Sequence, residues 1–107
     1  MSTGLLERAV RHFKGVEAGR GFAQTPGAPA FVAVAGEEIQ GWCWGYHLPR
    51  PDASSMLCLH ELDVEAAHRR QGIGRDLLRA FIAEGTKLGA TKMFLFTGAD
   101  NAPARSL

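Results

Sequence analysis

The stretch LHELDVEAAHRRQGIGRDLLRAFIAEGTKLGA, residues 59–90, decides the fold of this chain. It begins as a β-type run, crosses a loop that carries arginines and glycines, and continues with apolar residues at helical spacing. The apolar stripe of the predicted helix contains Ile73, Leu77, Leu78, Phe81, Ile82 and Leu88. Gly89 stands where a C-terminal glycine cap belongs. A strand, a loop and a helix in this order predict that a parallel strand follows, in a right-handed crossover.

The two strands of this crossover are short apolar runs on either side of the helix. The second is Lys92–Thr97, and the first is Leu57–Val64. Because side chains alternate along a strand, two faces are predicted for the first run. One face carries Leu57, Leu59, Glu61 and Asp63, and the other carries Cys58, His60, Leu62 and Val64.

The first half of the chain adds a helix and a hairpin. Apolar residues at spacings of three and four predict an amphipathic helix over residues 3–18. A loop rich in glycine and proline follows, and then Phe31–Ala35, a turn at Gly36 and a second apolar run to Leu48 predict two antiparallel strands. The predicted fold class is α/β (α+β): a single domain over residues 1–107, with a mixed sheet of antiparallel strands followed by a parallel β-α-β unit.

Composition and charge exclude several classes of protein. The chain has 107 residues with 46% hydrophobic and 21% charged residues, which fits one small globular domain. No apolar run approaches the roughly 20 residues of a membrane span, and the N-terminus lacks a secretory signal. A net charge of +1 gives no basic surplus for binding nucleic acid. With only two cysteines, a cytoplasmic protein is predicted.

The loop before the second predicted helix has the composition of a phosphate-binding site. The first N–H groups of a helix and the positive end of its dipole attract phosphate. Gly72 and Gly74 lack the side chains that would keep a pyrophosphate away from these groups, and Arg69, Arg70 and Arg75 supply positive charge. A purely structural tight turn is the alternative interpretation.

Other phosphate-binding loops do not match this pattern. A P-loop needs Gly-Lys followed by Ser or Thr, which the loop lacks, and a dinucleotide fingerprint needs a third glycine where Leu77 stands. The pattern Arg-x-x-Gly-x-Gly at Arg69, Gly72 and Gly74, between a strand and a helix, strongly resembles the acyl-CoA pyrophosphate loop of the GNAT superfamily of N-acyltransferases.

The resemblance extends over about residues 30–107. The run HELDVEAAHRRQGIG is similar to the corresponding run of the aminoglycoside 3-N-acetyltransferase branch, in which an acidic residue stands three positions before the strand's closing valine. Glu61 occupies that position. The run DNAPARSL resembles the next helix of the family, with Asn101 and Ala104 at its expected asparagine and alanine.

The resemblance implies transfer of an acetyl group from acetyl-CoA to a primary amine, such as an aminoglycoside or another small cationic amine, by direct attack. Glu61 and Asp63 are the candidates for the catalytic base. A backbone amide of the central strand is expected to stabilise the thioester oxygen. The residues expected to bind acetyl-CoA are Leu62, Val64, Arg69, Arg70, Gln71, Gly72, Ile73, Gly74, Arg75 and Asn101. The alternative interpretation of Glu61 is an ordinary solvated carboxylate without a catalytic role. The alternative interpretation of Asp63 is a structural or substrate-orienting role.

The sequence also departs from the family pattern. The family's first strand and last two strands are not found, and the sequence stops at Leu107, one residue before the tyrosine that many members use as general acid. The alternative hypothesis is therefore a truncated, non-catalytic CoA-binding or oligomerising remnant. The strand Lys92–Thr97 would then have an open edge, which predicts a homo-oligomer.

Two further groups of residues were candidates for binding. Trp42, Trp44 and Tyr46 share one face of a predicted strand, where they either line an acceptor pocket or pack within the sheet. The spacings between the histidines and the two cysteines match no zinc pattern, so no metal site is predicted.

Overall fold

The computed structural model describes residues 3–19, 21–22 and 26–95. Within these residues lie two helices, four strands and a 3-10 turn. The elements are α1 (Thr3–Lys14), β1 (Ala30–Ala35), β2 (Glu38–Pro49), β3 (Ser55–Val64), the 3-10 turn (Ala66–His68), α2 (Ile73–Lys87) and β4 (Lys92–Leu95). Two predictions concern residues outside the described ranges: the end of the strand Lys92–Thr97, and the role of Asn101 in binding the co-substrate.

The strands form one mixed sheet in the order β1-β2-β3-β4. The pairs β1–β2 and β2–β3 are antiparallel, and β3–β4 is parallel. The parallel pairing runs from Met56 opposite Lys92 to Leu59 opposite Leu95, with α2 as the crossover between the two strands. The predicted fold class, antiparallel strands followed by a parallel β-α-β unit, is confirmed.

Each face of the sheet is covered by one helix. The core between the sheet and α2 consists of Cys43, Leu57, Leu59, Leu62, Val64, Leu77 and Phe81. The core between the sheet and α1 consists of Leu6, Ala9, Val10, Ile39 and Trp42. Since the hydrophobic effect scales with the apolar area removed from water, these two layers fix both helices on the sheet.

Two glycines let α2 lie close against the sheet. A Cβ atom at Gly45 in β2 would stand 1.9 Å from the Cys58 carbonyl oxygen and 2.7 Å from Phe81 Cζ. A Cβ atom at Gly85 in α2 would stand 2.5 Å from Leu57 Cδ2. The absence of side chains at both positions therefore sets the depth at which α2 packs against the sheet.

The predicted faces of the central strand are wrong, because β3 contains a β-bulge. The register of β2 and β3 passes from Trp44 opposite Glu61 to Gly45 opposite Leu59, so that β3 has one extra residue, His60. An extra residue reverses the alternation beyond it. Leu62 and Val64 consequently join Leu57 and Leu59 under α2, while Glu61 and Asp63 bond to tryptophan side chains of β2.

The first helix is shorter than predicted. It ends at Lys14 rather than residue 18, because Gly15 adopts φ +70 and its N–H donates to the Arg11 carbonyl, which closes the helix. Val16 lies beyond this end with 59% of its surface exposed. The predicted glycine cap of α2 is confirmed: Gly89 has φ +88 and donates to the Thr86 carbonyl.

Candidate functional site

The loop that joins β3 to α2 ends in a glycine with a left-handed backbone. Gly72 is the N-cap of α2 with φ +83 and ψ 3, and no side chain caps the helix. Its carbonyl accepts the Asp76 N–H at 2.9 Å. The N–H groups of Ile73, Gly74 and Arg75 therefore lie in the first turn, where an α-helix has no carbonyl of its own to offer them. This arrangement suits an anion.

The arginines of the loop differ in position. Arg69 Nε donates to the Val64 carbonyl at 3.2 Å, which ties the loop to the end of β3. Arg70 has φ +65, and all three arginines are exposed, but among the described residues no hydrogen bond ties Arg70 or Arg75 to the end of β3 in this way. Arg69 therefore shapes the loop, and the other two side chains place positive charge at its surface.

The His68 side chain is bonded both to β2 and to Gln71 of the loop. Its Nε2 hydrogen-bonds to Glu38 Oε1 of β2, and this bond raises the pKa of the imidazole above 6.5. The carboxylate favours the charged imidazolium form. The structure therefore gives His68 a place at the edge of the loop, where it is paired with a carboxylate of β2.

The backbone at the end of β3 presents N–H groups on its β4 side. The Glu65 N–H donates to the Gln40 carbonyl of β2 at 2.8 Å. Successive residues of a strand direct their N–H and C=O groups to opposite sides, so Val64 and Leu62 direct theirs away from β2. On that side the described pairing with β4 has ended at Leu59. The amides of Leu62 and Val64 thus lie on the side of β3 that faces away from β2, in the last residues before the loop that leads to α2.

Glu61 projects towards α1 and is bonded through both oxygens. Its Oε2 accepts Lys14 Nζ at 2.7 Å, and its Oε1 accepts Trp44 Nε1 at 3.0 Å. The Glu61 side chain is 27% exposed. The hydrogen bond to Glu61 raises the pKa of Lys14 above 10.5, since the carboxylate stabilises the ammonium. Glu61 is therefore a carboxylate that already holds a primary amine.

The neighbouring carboxylates continue along the same side of β3. Asp63 Oδ2 accepts the Nε1–H of Trp42 at 2.8 Å, and Trp42 is 2% exposed. Glu65 Oε2 lies 2.8 Å from His12 Nε2 of α1. Asp63 is thus fixed by a buried side chain, which favours the structural or orienting role over that of the base.

The sequence did not indicate the partners that α1 supplies. Lys14 and His12 lie on the polar side of an amphipathic helix, and they contact residues 47 and 53 positions away. Only a prediction of how α1 crosses the sheet could have identified these contacts.

An aromatic cluster adjoins Glu61. It comprises Phe22, Trp44, Tyr46 and His60. The rings of Trp44 and His60 stack at 5.0 Å with an interplanar angle of 15°, and Trp44 also meets Tyr46 edge-on at 5.3 Å. Trp42 is buried in the core, whereas Trp44 and Tyr46 are half-buried beside Glu61. The three aromatic residues of β2 therefore separate into one core residue and two that border the candidate site.

Neither cysteine is placed for chemistry. Cys43 and Cys58 are buried free thiols, and burial raises the pKa of Cys43 to about 12. Among the described residues, no three or more His, Cys, Asp or Glu side chains form a group that could hold a metal ion. No helix of the described part of the chain has the length and apolar character needed to span a membrane.

A sequence model of the Acetyltransferase (GNAT) family matches residues 5–107. No curated protein matches the chain in a sequence search. Among solved structures, an aminoglycoside acetyltransferase from an uncultured soil metagenomic sample in complex with sisomicin is 26% identical, with 96% of this chain and 74% of that chain covered and a TM-score of 0.74.

Two further solved structures share the fold. The aminoglycoside N-acetyltransferase AAC(6′)-Iy in complex with CoA is 22% identical, with 99% of this chain and 82% of that chain covered and a TM-score of 0.80. A ribosomal-protein-alanine N-acetyltransferase from Brucella melitensis is 17% identical, with 97% and 79% covered and a TM-score of 0.79.

Proposed function

Because the chain belongs to the GNAT acetyltransferase family, we propose that it transfers an acetyl group from acetyl-CoA to the primary amine of a small cationic acceptor, such as an aminoglycoside. One observation carries the proposal: the amides of Leu62 and Val64 face away from β2 at the end of β3, and residues 65–72 connect this end to the uncapped N-terminus of α2. A thioester arm and a pyrophosphate joined to it need these two kinds of donor in this order.

The residues of the loop fit the charge of acetyl-CoA. The first-turn amides at Ile73, Gly74 and Arg75 would hold its pyrophosphate, with Arg70 adding positive charge from the exposed edge. Gln71, also exposed, lies within reach of the same group. Acetyl-CoA supplies an acyl group activated as a thioester.

The residues beside the thioester have separate roles in the proposed reaction. The Leu62 or Val64 amide would stabilise the negative charge that develops on the thioester oxygen. Glu61, directly or through a water, would remove the proton that an ammonium with a pKa near about 10 must lose before attack. Asp63, held by Trp42, would keep the local charge negative and so favour a cationic acceptor.

The loop is tested by two valine substitutions with the same backbone strain. Gly72 and Gly89 both adopt positive φ, at opposite ends of α2, and a Cβ at either position meets nothing within 4 Å. Gly72→Val should abolish acetyl-CoA binding in a calorimetric titration, because the side chain would enter the space of the pyrophosphate. The Gly89→Val variant should be less stable but should still bind acetyl-CoA. Equal affinities of the two variants would show that the loop is only structural.

Turnover is tested by following release of the CoA thiol with sisomicin and a panel of other primary amines. Release that depends on both amine and acetyl-CoA supports the proposal. Binding of acetyl-CoA with no release on any amine supports the alternative of a non-catalytic CoA-binding module.

An oligomerising role has its own supporting observation. Phe94 and Leu95 of β4 are 45% and 48% exposed, which leaves large apolar side chains at the described end of the sheet. Such an end favours pairing with a second copy of the chain. Sedimentation should then give a dimer or larger species, and Phe94→Lys should shift it to monomer. A wild-type protein that stays monomeric at high concentration would contradict this part.

A further inference from the structure

Lys14 occupies the position that an acceptor amine needs. It is the last residue of α1, and its Nζ lies 2.7 Å from Glu61 Oε2. The other Glu61 oxygen is held by Trp44 Nε1, so the carboxylate is oriented towards Lys14 from a fixed position. The Lys14 side chain is 43% exposed, which leaves the amine accessible from solvent.

The backbone that would hold the acyl group adjoins Glu61 in the chain. Leu62, one of the two residues with an outward-directed amide, directly follows Glu61 in the chain. Consecutive Cα atoms are about 3.8 Å apart. An acyl group held at the Leu62 amide would therefore be one residue away from the carboxylate that binds Lys14 Nζ.

We infer that Lys14 is a modification site at which the protein acetylates itself within one molecule; the inference rests on the proposed function. In this step Glu61 takes a proton from the Lys14 ammonium, and the neutral Nζ attacks the thioester carbon of acetyl-CoA. The new N–C bond forms as the C–S bond breaks. The sulfur leaves as CoA thiolate and takes up, through solvent, the second proton that the nitrogen releases on becoming an amide. Glu61 returns its proton to solvent, so that the products are acetyl-lysine, CoA and one proton.

Acetylation would change the site. It removes the positive charge of Lys14, so Glu61 loses its ion-pair partner. The carboxylate is then available to the ammonium of an added acceptor.

The chain contains internal controls. It has three lysines, and the other two, Lys87 of α2 and Lys92 of β4, are exposed. Uncatalysed acetylation requires the neutral amine and so disfavours a lysine whose pKa is raised, as that of Lys14 is. Preferential acetylation of Lys14 would therefore report catalysis rather than simple chemical reactivity.

The test is to incubate the purified chain with acetyl-CoA and to follow acetylation of each lysine by peptide mass spectrometry. Lys14 should be acetylated at least tenfold faster than Lys87 and Lys92, at a rate per molecule that does not change with protein concentration. Heat-unfolded protein should lose this preference. Since a general base contributes about 10²- to 10⁴-fold, Glu61→Gln should reduce the rate at Lys14 at least tenfold, whereas Glu65→Gln should not.

The outcomes separate the inference from the proposed function. CoA release with an added amine, but with Lys14 unmodified, would overturn the inference and leave the function standing. Failure to bind acetyl-CoA would overturn both. The inference would also be overturned if Lys14 were acetylated at the same rate as the other lysines, or if Glu61→Gln left the rate at Lys14 unchanged. Because the comparison among lysines uses the wild-type chain, the result does not depend on whether a variant folds.

Discussion

Replacing Gly45 by alanine should destabilise the protein by about 3 kcal/mol or more. The new Cβ would stand 1.9 Å from the Cys58 carbonyl oxygen and 2.7 Å from Phe81 Cζ, where real Cβ atoms approach no closer than 3.0 Å. Relief requires a shift of about 1 Å between β2 and β3, or between β2 and α2. Overpacking alone costs about 1–3 kcal/mol, and a buried backbone group that loses its hydrogen bond adds about 1–3 kcal/mol.

The assay is urea or thermal unfolding, with Gly4→Ala as the matched control. A Cβ at Gly4 meets nothing within 4 Å, and the residue lies in α1, where alanine is favoured over glycine by up to about 1 kcal/mol. Gly4→Ala should therefore raise the free energy of unfolding, whereas Gly45→Ala should lower it. A loss of about 3 kcal/mol in Gly45→Ala corresponds to a Tm lower by roughly 12–24 °C in a domain of this size. A loss below about 1 kcal/mol would refute the close packing of β2 against β3 and α2.

Two further changes test the hydrogen bonds around the site. Trp42→Phe should cost about 2 kcal/mol in unfolding experiments, because Asp63 loses a donor from a buried side chain; an unchanged stability would mean that this bond does not hold Asp63. For His68, the bond to Glu38 raises the pKa, so its contribution is complete below pH 6.5 and is lost as pH rises through the raised value. The difference in stability between wild type and His68→Gln should accordingly shrink from pH 6 to pH 8, and a difference that grows over this range would contradict the assigned bond.

The elements that the sequence predicted correctly are those whose signals are local. The apolar stripe of α2, its cap at Gly89 and the parallel β4 follow from spacing and from chain order within residues 57–95. The pairing of Lys14 with Glu61 could not be predicted in this way, because it joins residues 47 positions apart. It depends on where α1 ends, and the sequence-based end of that helix was wrong by four residues.

The bulge at His60 was missed although the sequence contains its signature. Apolar residues under α2 stand at odd positions up to Leu59 and at even positions from Leu62 onwards. Uninterrupted alternation would have placed Glu61 and Asp63 in the apolar core under α2, where unpaired charges are costly. A change of parity within an apolar strand is therefore itself evidence for an inserted residue.

The same inserted residue accounts for both halves of the candidate site. It turns the Glu61 side chain to the face covered by α1, where Lys14 and Trp44 bond to it. It also directs the amides of Leu62 and Val64 away from β2. Restoring regular alternation would reverse both at once, since side-chain face and amide direction change together along a strand. The position of the carboxylate and the direction of the amides thus depend on one backbone irregularity in β3. Gly45 lies opposite this bulge on β2, and its lack of a side chain lets β2 and β3 approach closely there.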